Sequence, residues 1–415
     1  MTSLVIRGAE LLDCTGAAPQ ASTDVAVSEA LISGIGRGVG SSPDRVIDAT
    51  GLTLMPGLTD AHVHMGLVSP AGGIGDLPWI DYVFTVRRII ENTLQEGFTT
   101  VRDAGGLDPH WARLVEQGVI DGPRILPSGS VLSQTGGHGD LRPAHHIEHP
   151  RGSIPGLSAT PEIVDGADEV RRAAREQLRK GATQIKVFSS GGVLSPTDPF
   201  DSLQFSYAEL RAAVEAAADW HTYVLAHCHT SDAIRRALSA GIRSIEHASI
   251  LDEDAARQIV ESDAFAVVTL AVKYDLLADP EHAGLTPSQL TKLQAVETEV
   301  GRSIEIMGET GVKVGSGSDI VGPLQDRRGR ELPNKAKFMS PAEAIATATT
   351  GNAELFYMAD RIGTVEVGKE ADLILVEGRP LDEIEVLADP ARIVGVIKGG
   401  RIRKDTQGRT SGVRG

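Results

Sequence analysis

The sequence of 415 residues predicts an α/β protein: a (β/α)8 TIM barrel that carries a small β-sandwich assembled from both chain ends. Three observations point there. Between residue 54 and about residue 363, short β-type runs alternate with longer amphipathic segments, the pattern of a parallel sheet covered by helices. The two ends, residues 1–53 and 371–403, hold short strands and turns instead, too few at either end to bury a face alone. Side chains able to hold metal fall at the ends of several predicted barrel strands, where such a barrel gathers its functional groups. An open doubly wound sheet is the competing reading of the alternation.

Taken in order, barrel strands are expected at 54–64, 99–103, 124–130, 184–189, 223–229, 244–247, 264–272 and 312–319. Amphipathic helices are expected between them at 161–180, 207–220, 231–240 and 252–262. In the second of these, Ala213, Val214, Ala217 and Ala218 recur at helical spacing. Terminal strands are expected at 4–7, 24–27, 31–35 and 45–48, and again at 372–376, 392–398 and 401–402. The division that follows is a composite β unit from 1–54 and 364–415 around a catalytic barrel at 55–363. The tail from 404 to 415 is nearly devoid of apolar residues and is expected to fray.

Composition narrows the function. Lys plus Arg number 40 against 56 Asp plus Glu, a formal net charge of −16. Such a balance argues against nucleic acid and anionic membranes as partners, because both need clustered positive charge. Aromatic residues make up 4%, too few for stacking platforms. Two distant cysteines, Cys14 and Cys228, exclude a disulfide framework and fit a reducing compartment. No signal-peptide pattern and no run of about 18 apolar residues is present, so a cytoplasmic location is expected.

The strongest motif is Pro56-Gly57-Leu58-Thr59-Asp60-Ala61-His62-Val63-His64. Alternate residues of a strand share a face, so His62 and His64 point the same way, about 7 Å apart along the strand, and can grip one cation. His227, His247 and Asp319 each fall near the end of a later predicted strand, on the same rim. Lys186, between Ile185 and Val187, faces the barrel interior if its neighbours pack on helices. A buried ammonium there is costly. It either pairs with Asp319, snorkels to the rim, or becomes a neutral amine that captures carbon dioxide as a carbamate. Glu246 alternates away from His247 and is expected to face outward; Cys228 is read as a small core residue, and Asp103 as a structural partner of the rim.

Over nearly its whole length the chain resembles the metal-dependent amidohydrolase superfamily, in its binuclear branch. The Pro-Gly-x-x-Asp-x-His-x-His strand, the strand lysine, two later histidines and a final Asp follow in that order, and Gly368-Lys369-Glu370-Ala371-Asp372-Leu373-Ile374-Leu375 is similar to the superfamily's return into its small β domain. Thr135-Gly136-Gly137-His138-Gly139-Asp140, Ile185-Lys186-Val187-Phe188-Ser189-Ser190-Gly191-Gly192 and Ile245-Glu246-His247 most resemble the prolidase-like subgroup. That subgroup includes metal-dependent dipeptidases, arginine or lysine carboxypeptidases and an ochratoxin-cleaving amidase.

The resemblance implies His62, His64 and Asp319 on one metal, His227 and His247 on the other, and carboxylated Lys186 as the bridge. It implies Asp319 as general base and then acid. Zinc is the first choice for imidazole and carboxylate ligands, with cobalt or manganese compatible. His138 is expected to contact the substrate carbonyl or α-carboxylate, with a loop-ordering role as its alternative. His229, where related enzymes can carry Tyr, is expected to bind substrate. The implied reaction is hydrolysis of an amide C–N bond in a dipeptide or N-acyl amino acid by a homo-oligomeric enzyme. Its alternative is a carbamate, urea or related xenobiotic cleaved by the same centre. A mononuclear deaminase is opposed by Lys186, and a metal-free scaffold by the full ligand set. Specificity is expected from the loops at 141–160 (with His145, His146 and His149), 194–204 and 321–338. The last holds Arg327, Arg328, Arg330, Lys335 and Lys337, read either as a solvated basic loop or as an attractor for an anionic substrate.

Overall fold

The computed structural model describes residues 3–40, 43–68, 77–142, 145, 153–195, 198–281 and 283–412. Eight parallel strands form the barrel: β1 (Leu58–Val63), β2 (Phe98–Asp103), β3 (Arg124–Pro127), β4 (Ile185–Phe188), β5 (Val224–Thr230), β6 (Ser244–Ile250), β7 (Phe265–Val268) and β8 (Lys313–Ser316). β1–β3 pair in one arc and β4–β8 in another. The arcs meet on both sides, where the Thr183 amide donates to the Pro127 carbonyl at 2.8 Å and the Asp319 amide to the His62 carbonyl at 2.7 Å.

Helices α1 (Trp79–Gln95), α2 (His110–Glu116), α3 (Ala167–Lys180), α4 (Tyr207–Ala218), α5 (Ser231–Ser239), α6 (Glu253–Glu261), α7 (Ala271–Ala278) and α8 (Pro287–Thr310) lie along the chain between or after the strands. Their ends are specified locally. Ser206 with Glu209 and Thr286 with Gln289 form reciprocal capping boxes at α4 and α8, and Gly311 ends α8 in the left-handed region. Between helices and sheet, Ile185, Val187, Val224, Ala226, Cys228 and Ile245 pack against Ala213, Ala216 and Ala217 of α4 and their neighbours. Small alanines let the helices approach closely, and the intervening strand residues are left to face the barrel axis.

The ends of the chain interleave in a nine-stranded sheet. Thr53–Pro56 lies antiparallel to Leu373–Val376, which joins the N-terminal strands to the C-terminal ones. Leu4, Ile6, Val25, Ile47, Leu54, Leu373 and Ile397 form this sheet's own core, while Met55, Ile374, Val376 and Ile393 pack with Ile90 and Leu94 of α1. The sheet therefore docks on the barrel by a second apolar face.

Three expectations change. The single strand expected at 54–64 divides at Gly57, with Thr53–Pro56 in the terminal sheet and β1 in the barrel. Only glycine fits that junction, since a Cβ there would lie 2.2 Å from Thr99 Oγ1. The tail does not fray where it is described: Thr410–Gly412 pairs with Arg45–Asp48. Backbone pairing with an edge strand needs no apolar side chain, so composition alone does not reveal it. The basic segment is a solvated loop only in part, since Arg327 and Arg330 keep 41% and 49% of their side chains exposed. Arg328 is buried against Glu96 at 3.1 Å, Arg330 bonds Asp275 at 2.6 Å, and buried Lys335 donates to the Gly315 carbonyl at 2.7 Å. The two buried charges, Arg328 and Lys335, are unavailable to attract a substrate.

A candidate metal centre at the barrel rim

β1 delivers His62 and His64 to one face, as the strand period requires. The Asp60 carboxylate of the same strand accepts from the His62 amide at 3.0 Å and from the Ser318 amide and hydroxyl at 3.0 and 2.5 Å, tying β1 to the chain after β8. Gly317 permits this closeness, because a Cβ there would sit 2.5 Å from His62 Cβ. Asp319 follows at φ +55°, a left-handed conformation that is strained for a non-glycine residue and held by the surrounding contacts. Its Oδ1 lies 3.5 Å from His62 Nε2 and 3.3 Å from His64 Nε2. One ligand atom from each of the three residues falls within 4.8 Å of the others.

The other ring nitrogens are occupied. His62 Nδ1 donates to Glu246 at 2.6 Å, and His64 Nδ1 to the Gly105 carbonyl at 2.8 Å. His247 Nδ1 meets Thr269 Oγ1 at 2.7 Å. This is how ligand imidazoles are usually oriented: one nitrogen is fixed by an outer partner and the other is free for a metal. His247 links the two sides of the centre, with its ring centroid 4.9 Å from that of His62 and 4.4 Å from that of His227. Burial holds His62 and His138 near pKa 4, and pushes His227 and His247 well below the ordinary value. All are neutral near pH 7, the protonation state a ligand must have.

Lys186 is 1% exposed at the centre of this group. Among the described residues its Nζ makes no hydrogen bond, and it forms no ion pair with Asp319. Neither the paired nor the snorkelling reading therefore applies. Burial lowers its pKa to about 8, against the pull of Glu246 and Asp319, so a reactive share of free amine is present at neutral pH.

Glu246 corrects the sequence reading. It is fully buried, and it accepts from His62 and, at 2.7 Å, from the buried Arg102. Ile245 and Ala248 both pack in the helix–strand layer, while His247 and Ala248 have φ of +73° and +44°. The irregularity breaks the alternation, so Glu246 and His247 both face inward. Burial opposes ionisation of Glu246, but Arg102 and His62 outweigh it and hold its pKa at about 2. Arg102, which no motif singled out, also donates to the Ala61 carbonyl at 2.6 Å and braces β1 from inside. Asp103 accepts from the Met65, Gly105 and Leu107 amides and orders the loop beside His64.

His138 lies on the loop after β3. Its ring stacks on His227 at 4.6 Å and meets Phe188 edge-on at 4.8 Å. Gly192 leaves room for it, since a Cβ there would lie 2.1 Å from the ring. Its Nδ1 is buried without a hydrogen bond among the described residues. His229, two residues beyond His227, lies 4.5 Å from that ring and bonds Ser249 at 3.0 Å. His146 and His149 lie outside the described residues.

Four imidazoles, a carboxylate and a buried amine without a hydrogen bond among the described residues, at the mouth of a barrel, suit divalent cations by donor chemistry. Barrel and rim thus define the class, a barrel enzyme equipped for metal. The amidohydrolase family model matches residues 53–403. Ochratoxinase from Aspergillus niger is 35% identical over 366 residues, covering 85% of this chain and 75% of that protein. A prolidase complexed with N-methylphosphonate-L-proline superposes with a TM-score of 0.93 at 38% identity, covering 97% of this chain and all of the other. A Xaa-Pro dipeptidase with bound methionine in its active site gives 0.86 at 30% identity, covering 97% and 99%. The chain belongs to the amidohydrolase family, in its prolidase-like subgroup, and is a hydrolase acting on amide bonds.

Proposed function

We propose that this chain is a binuclear metal hydrolase that cleaves a dipeptide or an N-acyl amino acid at the amide next to a free carboxylate. His62, His64 and Asp319 would hold one ion, His227 and His247 the other, with carboxylated Lys186 between them; zinc suits this donor set best. The observation that carries the reading is Lys186, whose buried amine has no hydrogen bond among the described residues and stands amid imidazoles. The ammonium loses one proton, and the neutral amine then adds to carbon dioxide, forming the C–N bond as one C=O π bond opens and losing a second proton; an uncompensated cation is thereby replaced by the anion that two cations need. When bound, the ions supply Lewis acidity, which lowers the pKa of a shared water and polarises the scissile carbonyl.

Asp319 then accepts the proton from the attacking water and passes it to the departing amine. Its carboxylate stays ionised despite burial, because His62 and His64 stabilise the charge. His138, whose Nδ1 has no hydrogen bond among the described residues and stands 4.0 Å from Asp198 Oδ2, donates to the substrate carbonyl or carboxylate; His229 borders the leaving amino acid. The relatives crystallised with an N-methylphosphonate-L-proline and with methionine support an amino acid as one half of the substrate. Among the described residues no helix is long and apolar enough to cross a membrane. We place the enzyme in the cytoplasm as a homo-oligomer, with residues 1–54 and 364–415 as one unit on the barrel at 55–363, supported by the pairing of Thr53–Pro56 with Leu373–Val376.

The test is a kinetic panel of Xaa-Pro, Xaa-Arg, Xaa-Leu and N-acyl-Phe compounds beside carbamates, with metal analysis and growth or dialysis with and without bicarbonate. Two metals per chain, dependence on bicarbonate and preference for carboxylate-terminated amides are expected. Hydrolysis of none of those amides, or one metal with an unmodified lysine, overturns the reading.

A further inference from the structure

Helices of the barrel layer such as α3 and α6 turn a charged side outward. α3 exposes Asp168, Arg172, Arg175 and Arg179, and α6 exposes Glu253, Asp254, Arg257 and Glu261. α1 differs. Tyr82, Val86, Ile89, Ile90 and Leu94 are buried on its inner side. On its outer side Trp79, Ile80 and Phe84 stand 64%, 61% and 58% exposed, and Leu77, just before the helix, is exposed as well. The outer side of a surface helix is ordinarily polar, and large apolar residues gathered there mark a contact. Aromatic side chains at the centre with charges at the margin are the composition of a protein interface.

The charges along this face say what covers it. Ile80, Phe84 and Arg88 follow one another at helical spacing and form one row. Asp81 stands beside that row, two turns before Arg88 and on the same flank. Arg87 is taken by Glu91 at 2.8 Å, but among the described residues no hydrogen bond or ion pair engages the side chain of Asp81 or Arg88. Reversing the helix about the point midway between Phe84 and Thr85 carries Asp81 onto the level of Arg88 and Arg88 onto that of Asp81. The face is therefore complementary to its own copy run antiparallel, apolar in the middle and with opposite charges meeting at both ends. A two-fold axis between identical subunits produces this arrangement; an unrelated partner would not require charges so placed. With a net charge of −16 per chain, two copies repel in general, so a contact between them needs a face where opposite charges are matched.

We propose that the outer face of α1 is a contact between two copies of this chain, with the helices antiparallel, Phe84 packed on the partner's Phe84 and Asp81 paired with the partner's Arg88. The inference deepens the homo-oligomer reading given above and rests on it, and it is independent of the amide reading. On its inner side the same helix reaches towards the site: Tyr82 Oη donates at 3.1 Å to the carbonyl of Gly66, two residues beyond His64. The contact thus backs the loop that follows β1.

The experiment is sedimentation velocity on the full-length, metal-loaded protein over a concentration series, for wild type, Phe84→Glu, Asp81→Arg, Arg88→Asp and the Asp81→Arg/Arg88→Asp double variant. Wild type is expected to be an oligomer. Phe84→Glu is expected to sediment at about half the wild-type mass, because it sets two carboxylates against each other at the two-fold axis. Each charge reversal alone places like charges face to face and is expected to weaken association at least about tenfold. The double variant restores the pairing with its signs exchanged and is expected to return to within a few-fold of wild type. All three positions are exposed in the single chain, and Phe84→Ser repeats the measurement if the Glu variant fails to fold. An unchanged mass in a folded Phe84 variant, or a double variant no better than the single ones, overturns the proposal while the homo-oligomer reading stands. A wild type that is monomeric at every concentration removes that reading, and this inference with it. A monomer that floats with phosphatidylcholine vesicles, and ceases to do so as Phe84→Glu, overturns the proposal by assigning the face to lipid.

Discussion

On the β1–β8 side of the rim, His62 and His64 each have one ring nitrogen fixed by an outer partner, and Asp319 is drawn to both rings by the Asp60–Ser318 clasp. Across the barrel, around β4, Lys186 Nζ and His138 Nδ1 are both buried and both lack a hydrogen bond among the described residues. The first half is set in place by the protein alone. The second is polar and leaves these two nitrogens without a hydrogen bond among the described residues, so its groups gain their partners from what binds. Breaking the two halves should therefore have opposite effects on the apoprotein. A loss from the ordered half costs stability, whereas a loss from the incomplete half relieves an unfavourable burial.

Lys186→Met is the largest test of that contrast. Without the proposed bridging anion, turnover should fall at least ~10,000-fold, about 5.5 kcal/mol of transition-state stabilisation, and metal content should drop with it. The metal-free variant should nevertheless melt higher than metal-free wild type, because an apolar chain replaces an unsatisfied amine worth about 1–3 kcal/mol. Calorimetry after chelation reads this directly; a lower melting temperature would mean that Lys186 has a partner in the apoprotein. Next in size, Asp319→Asn should keep two metals by elemental analysis and lose about a thousandfold in kcat, within the range that a lost proton-transfer group costs. An active Asn variant would remove Asp319 from proton transfer.

The same contrast explains what could be read from the sequence. His62 and His64 were legible because strand alternation puts them on one face, and His227, His247 and Asp319 because each follows an apolar run near a strand end. Lys186 was legible from its apolar neighbours, which pack on helices as expected. Glu246 was not, because alternation holds only while the backbone is extended, and the positive φ at His247 and Ala248 turns two consecutive side chains inward. Arg102 and the buried charge of Arg328 were hidden for a related reason: whether a charge lies in water or against an acid such as Glu246 or Glu96 depends on residues more than a hundred positions away. Sequence periodicity thus located the groups that face the barrel mouth and missed those that hold them in position.

Those supporting groups yield two smaller predictions that should differ from each other by a computable margin. Glu246→Gln keeps the size and a possible acceptor for His62 but removes the charge opposite Arg102. Competition with a chelator should show metal affinity lowered towards the hundredfold end of the range for outer-partner loss. Denaturant melts should show about 3–5 kcal/mol of destabilisation from a buried guanidinium left unpaired.

Thr269→Val removes only the neutral hydroxyl that meets His247 Nδ1. The methyl group that replaces it fills similar space, no buried charge is stranded, and the remaining contacts of the His247 ring with His62 and His227 are untouched. What is lost is orientation of one imidazole, so affinity should fall about tenfold, and stability by about 1 kcal/mol, the usual net worth of a neutral hydrogen bond. The Glu246 variant should thus exceed the Thr269 variant in both measurements, and by more in stability than in affinity. Equal destabilisation of the two would mean that Arg102 finds another acceptor inside the barrel, and that the charge of Glu246 orients His62 without also holding the β1 side together.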